Sequence, residues 1–264
     1  MKKLVLILTL VFSIQNAWAG SQSAAKAQHE PETIKTFAKE VEYFAANKGA
    51  RAFIIARVGR PAKDLPKGIR FTHTAVAVYS NIQLDGGEIV QGYAIHNLYQ
   101  RGGQPNKSDL VMDYPVDFFW GAHDLTAGII IPSPEVQEEL IDLIASGEAK
   151  SLHNNNYSVI ANPFNSQFQN CTEYTLDMIN AAIYQTLDTQ QLKVNAKAHF
   201  TPQRVYTSRM KLMFGSMLMD DVTTKDHKGK IYTTTFQSIG RYLKRNDLAD
   251  EFVTFDQHGK VQSL

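Results

Sequence analysis

The chain has 264 residues, 44% of them hydrophobic and 20% charged, with a formal net charge of +1 and a pI near 7.8. That balance gives no electrostatic case for binding nucleic acid or an anionic membrane surface. The length suits one full-sized domain with additions, or two small ones, and requires no disulfide staples.

The first residues read as a secretory signal. Lys2 and Lys3 form a positive start, Leu4 to Ile14 an apolar stretch, and Ala17-Trp18-Ala19 a small-residue cleavage site. Cleavage after Ala19 leaves a mature chain from Gly20 to Leu264, with a periplasmic or secreted address. Beyond the signal, no apolar run reaches the roughly 18 to 20 residues needed to span a bilayer.

After a polar lead, Thr33 to Asn47 places Ile34, Phe37, Ala38, Val41 and Phe44 on one helical stripe, with Gly49 as its stop. Ala52 to Val58 reads as a strand, Gly59 to Gly68 as a turn segment, and Phe71 to Tyr79 as a second strand. Asp85-Gly86-Gly87 is a hairpin signal, and Glu88 to Tyr99 returns as the partner strand, so this half predicts an antiparallel meander. Gly102 to Lys107 reads as a loop, Asp117 to Gly121 as an aromatic packing cluster, and Ala127 to Ile131 as a buried strand. Ser133-Pro134-Glu135 opens a helix that runs to about Ser146. His153 to Asn170 is irregular and rich in asparagine, and Cys171 begins a helical pattern. A Met-rich helix is expected over Pro202 to Met219, another helix over Thr235 to Leu243, and a closing strand over Glu251 to Phe255. Met210, Met213, Met217 and Met219 on the first of these are read as packing surface.

Cys171 is the chain's single cysteine. An exported protein meets oxidising surroundings, and this thiol has no partner within the chain, which marks it as a candidate reactive group. A helix N-terminus and a nearby imidazole both favour the thiolate. The predicted helix supplies the first, although Glu173 in its first turn would oppose ionisation if it faced the sulfur. Among eight histidines, His73 is the best candidate base, because it opens a strand of small and apolar residues.

The segments FTHTAVAVY, YAIHNLY and NCTEYTLDMI resemble the NlpC-type papain-like superfamily. With His73 ahead of Cys171, they resemble its circularly permuted branch, which includes the lecithin retinol acyltransferase-like proteins. The whole chain also resembles an uncharacterised bacterial secreted family, domain of unknown function 2145. The superfamily resemblance spans roughly Arg51 to Tyr184. It implies an α+β papain-like fold: a small antiparallel sheet packed on helices, with extra N- and C-terminal helices. It implies Cys171 as nucleophile and His73 as base. A third, orienting residue is implied on the strand after the histidine strand, where His96 is preferred and Asn97 is the papain-style alternative. Adjacent strand residues face opposite sides, so only one of the two addresses His73. The Cys171 backbone N–H is the expected oxyanion donor, with Gln169 and Tyr157 as possible side-chain donors.

The expected organisation is a signal at 1–19, a lead and helix at 20–50, a papain-like core at 51–200 and a helical extension at 201–264. The expected activity is an exported cysteine hydrolase or acyltransferase acting on an amide, ester or thioester. Its substrate would be a cell-wall peptide or a lipid-linked acyl group, with no cofactor. His73, His96, His123 and His153 lack zinc-ligand spacing, so no metal is expected. G-x-S-x-G is absent. Two rival readings are a non-catalytic envelope binding module and an exposed thiol held for a mixed disulfide.

Overall fold

The computed structural model describes residues 26–84, 86–206 and 222–264. The segment read as a signal, Asp85, and the four methionines from Met210 to Met219 lie outside these residues.

Helix α1 (Pro31–Asn47) starts on a proline whose fixed φ suits the first turn, and it buries Ile34, Phe37, Ala38, Val41 and Ala45 on one stripe. Beyond it, Gly49 adopts φ +70°, a conformation that costs a side-chain-bearing residue but not glycine. Strand β1 (Ala52–Val58) is buried along its whole length because it runs through the middle of the sheet. The following strands are β2 (His73–Gln83), β3 (Ile89–Arg101) and β4 (Gln104–Asp113). They extend one side as the expected meander. On the other side come β5 (Asp124–Pro132), β8 (Ala249–Asp256) and β9 (Val261–Ser263). The seven strands run in the order β4-β3-β2-β1-β5-β8-β9, every neighbouring pair antiparallel. A separate two-stranded ribbon pairs β6 (Gln203–Arg204) with β7 (Tyr232–Thr233).

The sheet is covered on both faces. On one, α1 and the short α2 (Pro115–Trp120) bury Phe53, Ile55, Ala75, Ala77, Ile95 and Ile129. Phe118 and Phe119 of the aromatic cluster pack in this layer. The opposite face carries α3 (Pro134–Ala145), α4 (Cys171–Tyr184), α5 (Thr189–His199) and α6 (Phe236–Arg245) over Ile54, Ala56, Val76, Val78 and Ile130. Close contact explains Gly128 in β5, since a Cβ there would lie 2.6 Å from the Phe236 ring. The fold is therefore mixed α+β around one antiparallel sheet.

Several elements depart from expectation, among them Gln203–Arg204, which pair as strand β6 where the Met-rich helix was expected to begin at Pro202. Only Gly102-Gly103 turns, and β4 begins at Gln104 where a loop was expected through Lys107. Its QPNKSDLVMD sequence is polar because it is an edge strand, where Pro and Lys are tolerated and discourage further pairing. Helix α5 was not expected at all, for its first turns offer little apolar periodicity.

Candidate functional site

The asparagine-rich approach to α4 is irregular but ordered by its own side chains. Asn154, Asn162 and Asn165 each accept a bond from the backbone N–H two residues on, at 3.0, 3.1 and 3.1 Å. Such bonds imitate backbone turns, which is what this residue type offers a loop. Asn170 then caps the helix: its Oδ1 accepts from the Glu173 N–H at 2.9 Å and the Thr172 hydroxyl at 2.8 Å. Its amide nitrogen donates to Val159 O at 3.0 Å, tying loop and helix together. Cys171 is thereby fixed at the first position of α4.

The sulfur lies where the sheet opens. The β2–β3 register starts at Val76↔His96, whereas β2 itself starts at His73. At Thr74, the first turns of α4 meet the strand instead: the Thr175 hydroxyl, which donates to Cys171 O at 2.9 Å, lies 3.5 Å from Thr74 O, and the Thr74 backbone hydrogen-bonds to the Cys171 sulfur. Backbone groups of Thr172 and of Cys171 itself also favour the thiolate, but burial outweighs them and pushes the thiol up from its ordinary value. Cys171 is buried, 5% exposed as a residue, which contradicts the expectation of an exposed thiol held for a mixed disulfide.

His73 is completely buried and faces the α1/α2 layer, stacked on Tyr99 at 4.5 Å between ring centroids and tilted against Phe118. Its Nε2 is 2.9 Å from Asn97 Oδ1. The Asn97 amide nitrogen donates to Ile95 O at 3.0 Å, so the oxygen must be the atom that faces the ring. An amide oxygen only accepts, so Nε2 carries the proton and Nδ1 of the neutral ring carries the lone pair. Nδ1 has no hydrogen-bond partner. Burial first, then the Arg57 guanidinium, hold this imidazole well below the usual histidine range.

The bond to His73 is made by Asn97 and not by the preferred His96. The reason is the phase of β3: Ile95 and Asn97 share the α1/α2 face, while His96 and Leu98 turn to the other. His96 is half-buried, and burial followed by the Lys150 charge lowers its pKa. No hydrogen bond joins the Cys171 sulfur to the His73 ring, although Arg57 and Tyr99, which flank that ring, both interact electrostatically with Cys171.

A buried polar row crosses the sheet beside His73, and sequence reading missed most of it. Arg57 is the cross-strand partner of His73 and donates to Phe118 O. Its guanidinium stands 5.7 Å from the Tyr99 ring centroid, and the Tyr99 hydroxyl donates to Asp113 at 2.6 Å. The available signal was a cation inside the apolar run AFIIARV, at the parity of the core residues Phe53 and Ile55.

Glu173 does not face the sulfur. It meets the Lys193 ammonium at 2.6 Å, which also contacts Asp177 at 2.8 Å, all three being buried. Gln169 donates to Leu152 O and Asp177 Oδ2 at 3.0 and 2.9 Å, so its amide is committed away from any oxyanion. Tyr157 is buried in a bridge to Gln169. His153 bonds Ser108 at 3.0 Å and His123 bonds Gln28 at 3.0 Å. Among the described residues no three His, Cys, Asp or Glu side chains group as a metal site, and no helix is long and apolar enough to cross a membrane.

A family profile described as "Uncharacterized protein conserved in bacteria (DUF2145)" matches residues 44–243. No curated protein and no solved structure matches.

Proposed function

The chain belongs to that bacterial family, and from the geometry around His73 we propose that it is a cysteine-dependent acyl hydrolase or acyltransferase with a permuted papain-like, NlpC-type core. The observation that carries this reading is the His73–Asn97 bond, which fixes the tautomer and leaves a buried, partnerless lone pair on Nδ1. Such an atom is a proton acceptor in waiting. Cys171 supports the reading at the same strand end, at a capped helix start with backbone groups directed at its sulfur.

In the proposed reaction the Cys171 S–H proton passes to His73 Nδ1 as the sulfur bonds to the carbonyl carbon. The tetrahedral adduct then expels the amine, alcohol or thiol, which takes that proton from His73, leaving an S-acyl enzyme. Water or an acceptor amine releases the acyl group by the reverse sequence. Because no hydrogen bond joins the pair at rest, the sulfur or the ring turns through the gap beside Thr74, or a water bridges them, before proton transfer. Both groups are neutral at rest: burial opposes the thiolate and the imidazolium alike. The proposed address is the cell envelope, from the signal-like first residues, and the acyl donor is a wall peptide or lipid-linked group.

A second reading, a non-catalytic envelope module, draws on the same burial and on the missing sulfur–imidazole bond. The two separate on one experiment. The folded protein is incubated with a p-nitrophenyl ester or an acyl thioester, and its mass is followed. A single acyl adduct on Cys171, absent in Cys171→Ala and slowed in His73→Ala, is the expected result. Absence of an adduct while the protein remains folded would leave the binding module as the better account.

A further inference from the structure

The β1–β2 connection has an unusual charge content for its length. Between Gly59 and Thr72 stand Arg60, Lys63, Lys67 and Arg70 against the single carboxylate Asp64. Among the described residues none of these four cations is in an ion pair. A surface loop that only needs solvation mixes its signs, and this one leaves its positive charge uncompensated.

Three of the four cations converge. Arg60, Lys63 and Arg70 rim a concavity of about 280 Å³ whose floor is Val58, Leu65 and Ile69. Arg60 is half-buried, and the Arg70 guanidinium is held 5.5 Å from the Phe71 ring centroid, above a buried aromatic. The loop is closed at its base by Gly59 N–H to the Thr72 hydroxyl at 2.9 Å and Thr72 N–H to Arg57 O at 3.0 Å. His123 N–H bonds Val58 O at 2.7 Å, which brings the start of β5 to the same rim together with Asp124. The Asp124 carboxylate accepts from the Thr126 hydroxyl at 2.6 Å, so it is held toward its own strand.

The geometry points to a subsite for an oxyanion, a phosphate or carboxylate, carried on a short apolar stem. Guanidinium groups match the paired oxygens of either anion, and the lysine adds a point charge. The apolar floor takes the stem, and the volume limits it to a few carbons. Val58 lines the concavity, while the residue before it, Arg57, is the cross-strand partner of His73. The subsite therefore opens at the same end of the sheet as the candidate base. Assigning its ligand to the substrate rests on the acyl-transfer reading; the binding does not.

The test is calorimetric titration of the full chain with butyl phosphate, butyrate, inorganic phosphate and 1-butanol, at low and high salt. At least one butyl anion is expected to bind, with 1-butanol at least about tenfold weaker, and binding should weaken as salt screens the charges. The butyl phosphate and butyrate arms decide which oxyanion is preferred. An Arg60→Gln/Arg70→Gln variant with a native circular dichroism spectrum should lose about tenfold or more in affinity. Cys171→Ala should bind as wild type does, so a failure of catalysis leaves this result untouched. Equal binding of 1-butanol, or unchanged affinity in the double variant, overturns the proposal. Inorganic phosphate binding as tightly as butyl phosphate overturns its apolar half.

Discussion

Asn97 accepts a hydrogen bond from His73 Nε2 at 2.9 Å while its own amide nitrogen is committed to the Ile95 carbonyl at 3.0 Å. The second bond gives the first its meaning, because it prevents the amide from presenting nitrogen to the ring. Asn97→Ala removes a positioning residue and releases the tautomer. If His73 is the base, Cys171 acylation in this variant should slow by about a hundredfold, and its pH profile should change shape. Asn97→Asp, which still accepts from Nε2, should recover part of the rate. A purely structural Asn97 would show a stability loss with the pH profile intact.

The neutral state of His73 has a consequence for stability. Its folded pKa lies below the unfolded value of about 6.5. Below that pH the unfolded chain binds a proton that the native ring refuses, so stability is present above about pH 6.5 and is lost as pH falls. The loss is at most about 1.4 kcal/mol per pH unit for this one group. Urea unfolding of wild type and His73→Gln between pH 7.5 and 5 isolates it, with the wild type falling faster. Parallel curves would mean that the folded ring takes up its proton normally.

The Glu173–Lys193–Asp177 cluster titrates with the opposite sign. Two buried carboxylates share one ammonium, and Glu173 Oε2 has no partner. Burial and the neighbouring Asp177 push Glu173 up to about 8, although Lys193 works against them. Its folded pKa exceeds the unfolded value of about 4.3, so its contribution is full below that pH and is lost as pH rises toward about 8. Glu173→Gln should therefore cost little at pH 5 and be neutral or stabilising at pH 8.5. Lys193→Met leaves both carboxylates without their cation and should cost about 3–5 kcal/mol at pH 7.5. Denaturant midpoints of both variants at the three pH values check the pattern.

That cluster also shows where sequence reading ran out. Helices α1 and α3 were legible because each buries a periodic apolar face, and strands β1, β2, β3 and β5 because each carries a short apolar run bounded by turn signals. Helix α5 buries only Leu192 and Ala196 as apolar side chains, and the Lys193 ammonium docks it on α4, a bond no hydrophobic pattern announces. Strand β4 was hidden by its polar edge composition. At the site, Cys171, His73 and the choice between His96 and Asn97 could be named from three short segments. The phase of β3 could not, because residues on both of its faces are buried near His96 and alternation carries no polarity there. Nor could sequence place the sulfur against the Thr74 backbone, which depends on where α4 meets the opened sheet.

The same placement makes the reactivity of Cys171 a probe of the α4 start. With Cys171 buried and its thiol pKa raised by burial, iodoacetamide must await an opening of the structure. Native alkylation at pH 8 should be at least about tenfold slower than in denaturant. Asn170 holds the relevant hinge, capping Glu173 N–H and gripping Val159 O. Asn170→Ala should cost about 1–2 kcal/mol and, if opening is local to this turn, speed alkylation by about 5- to 30-fold. An increase in that range with unchanged global unfolding kinetics locates the opening at the helix start. Alkylation that is fast in wild type and indifferent to Asn170 would instead mean that the sulfur already reaches solvent without unfolding.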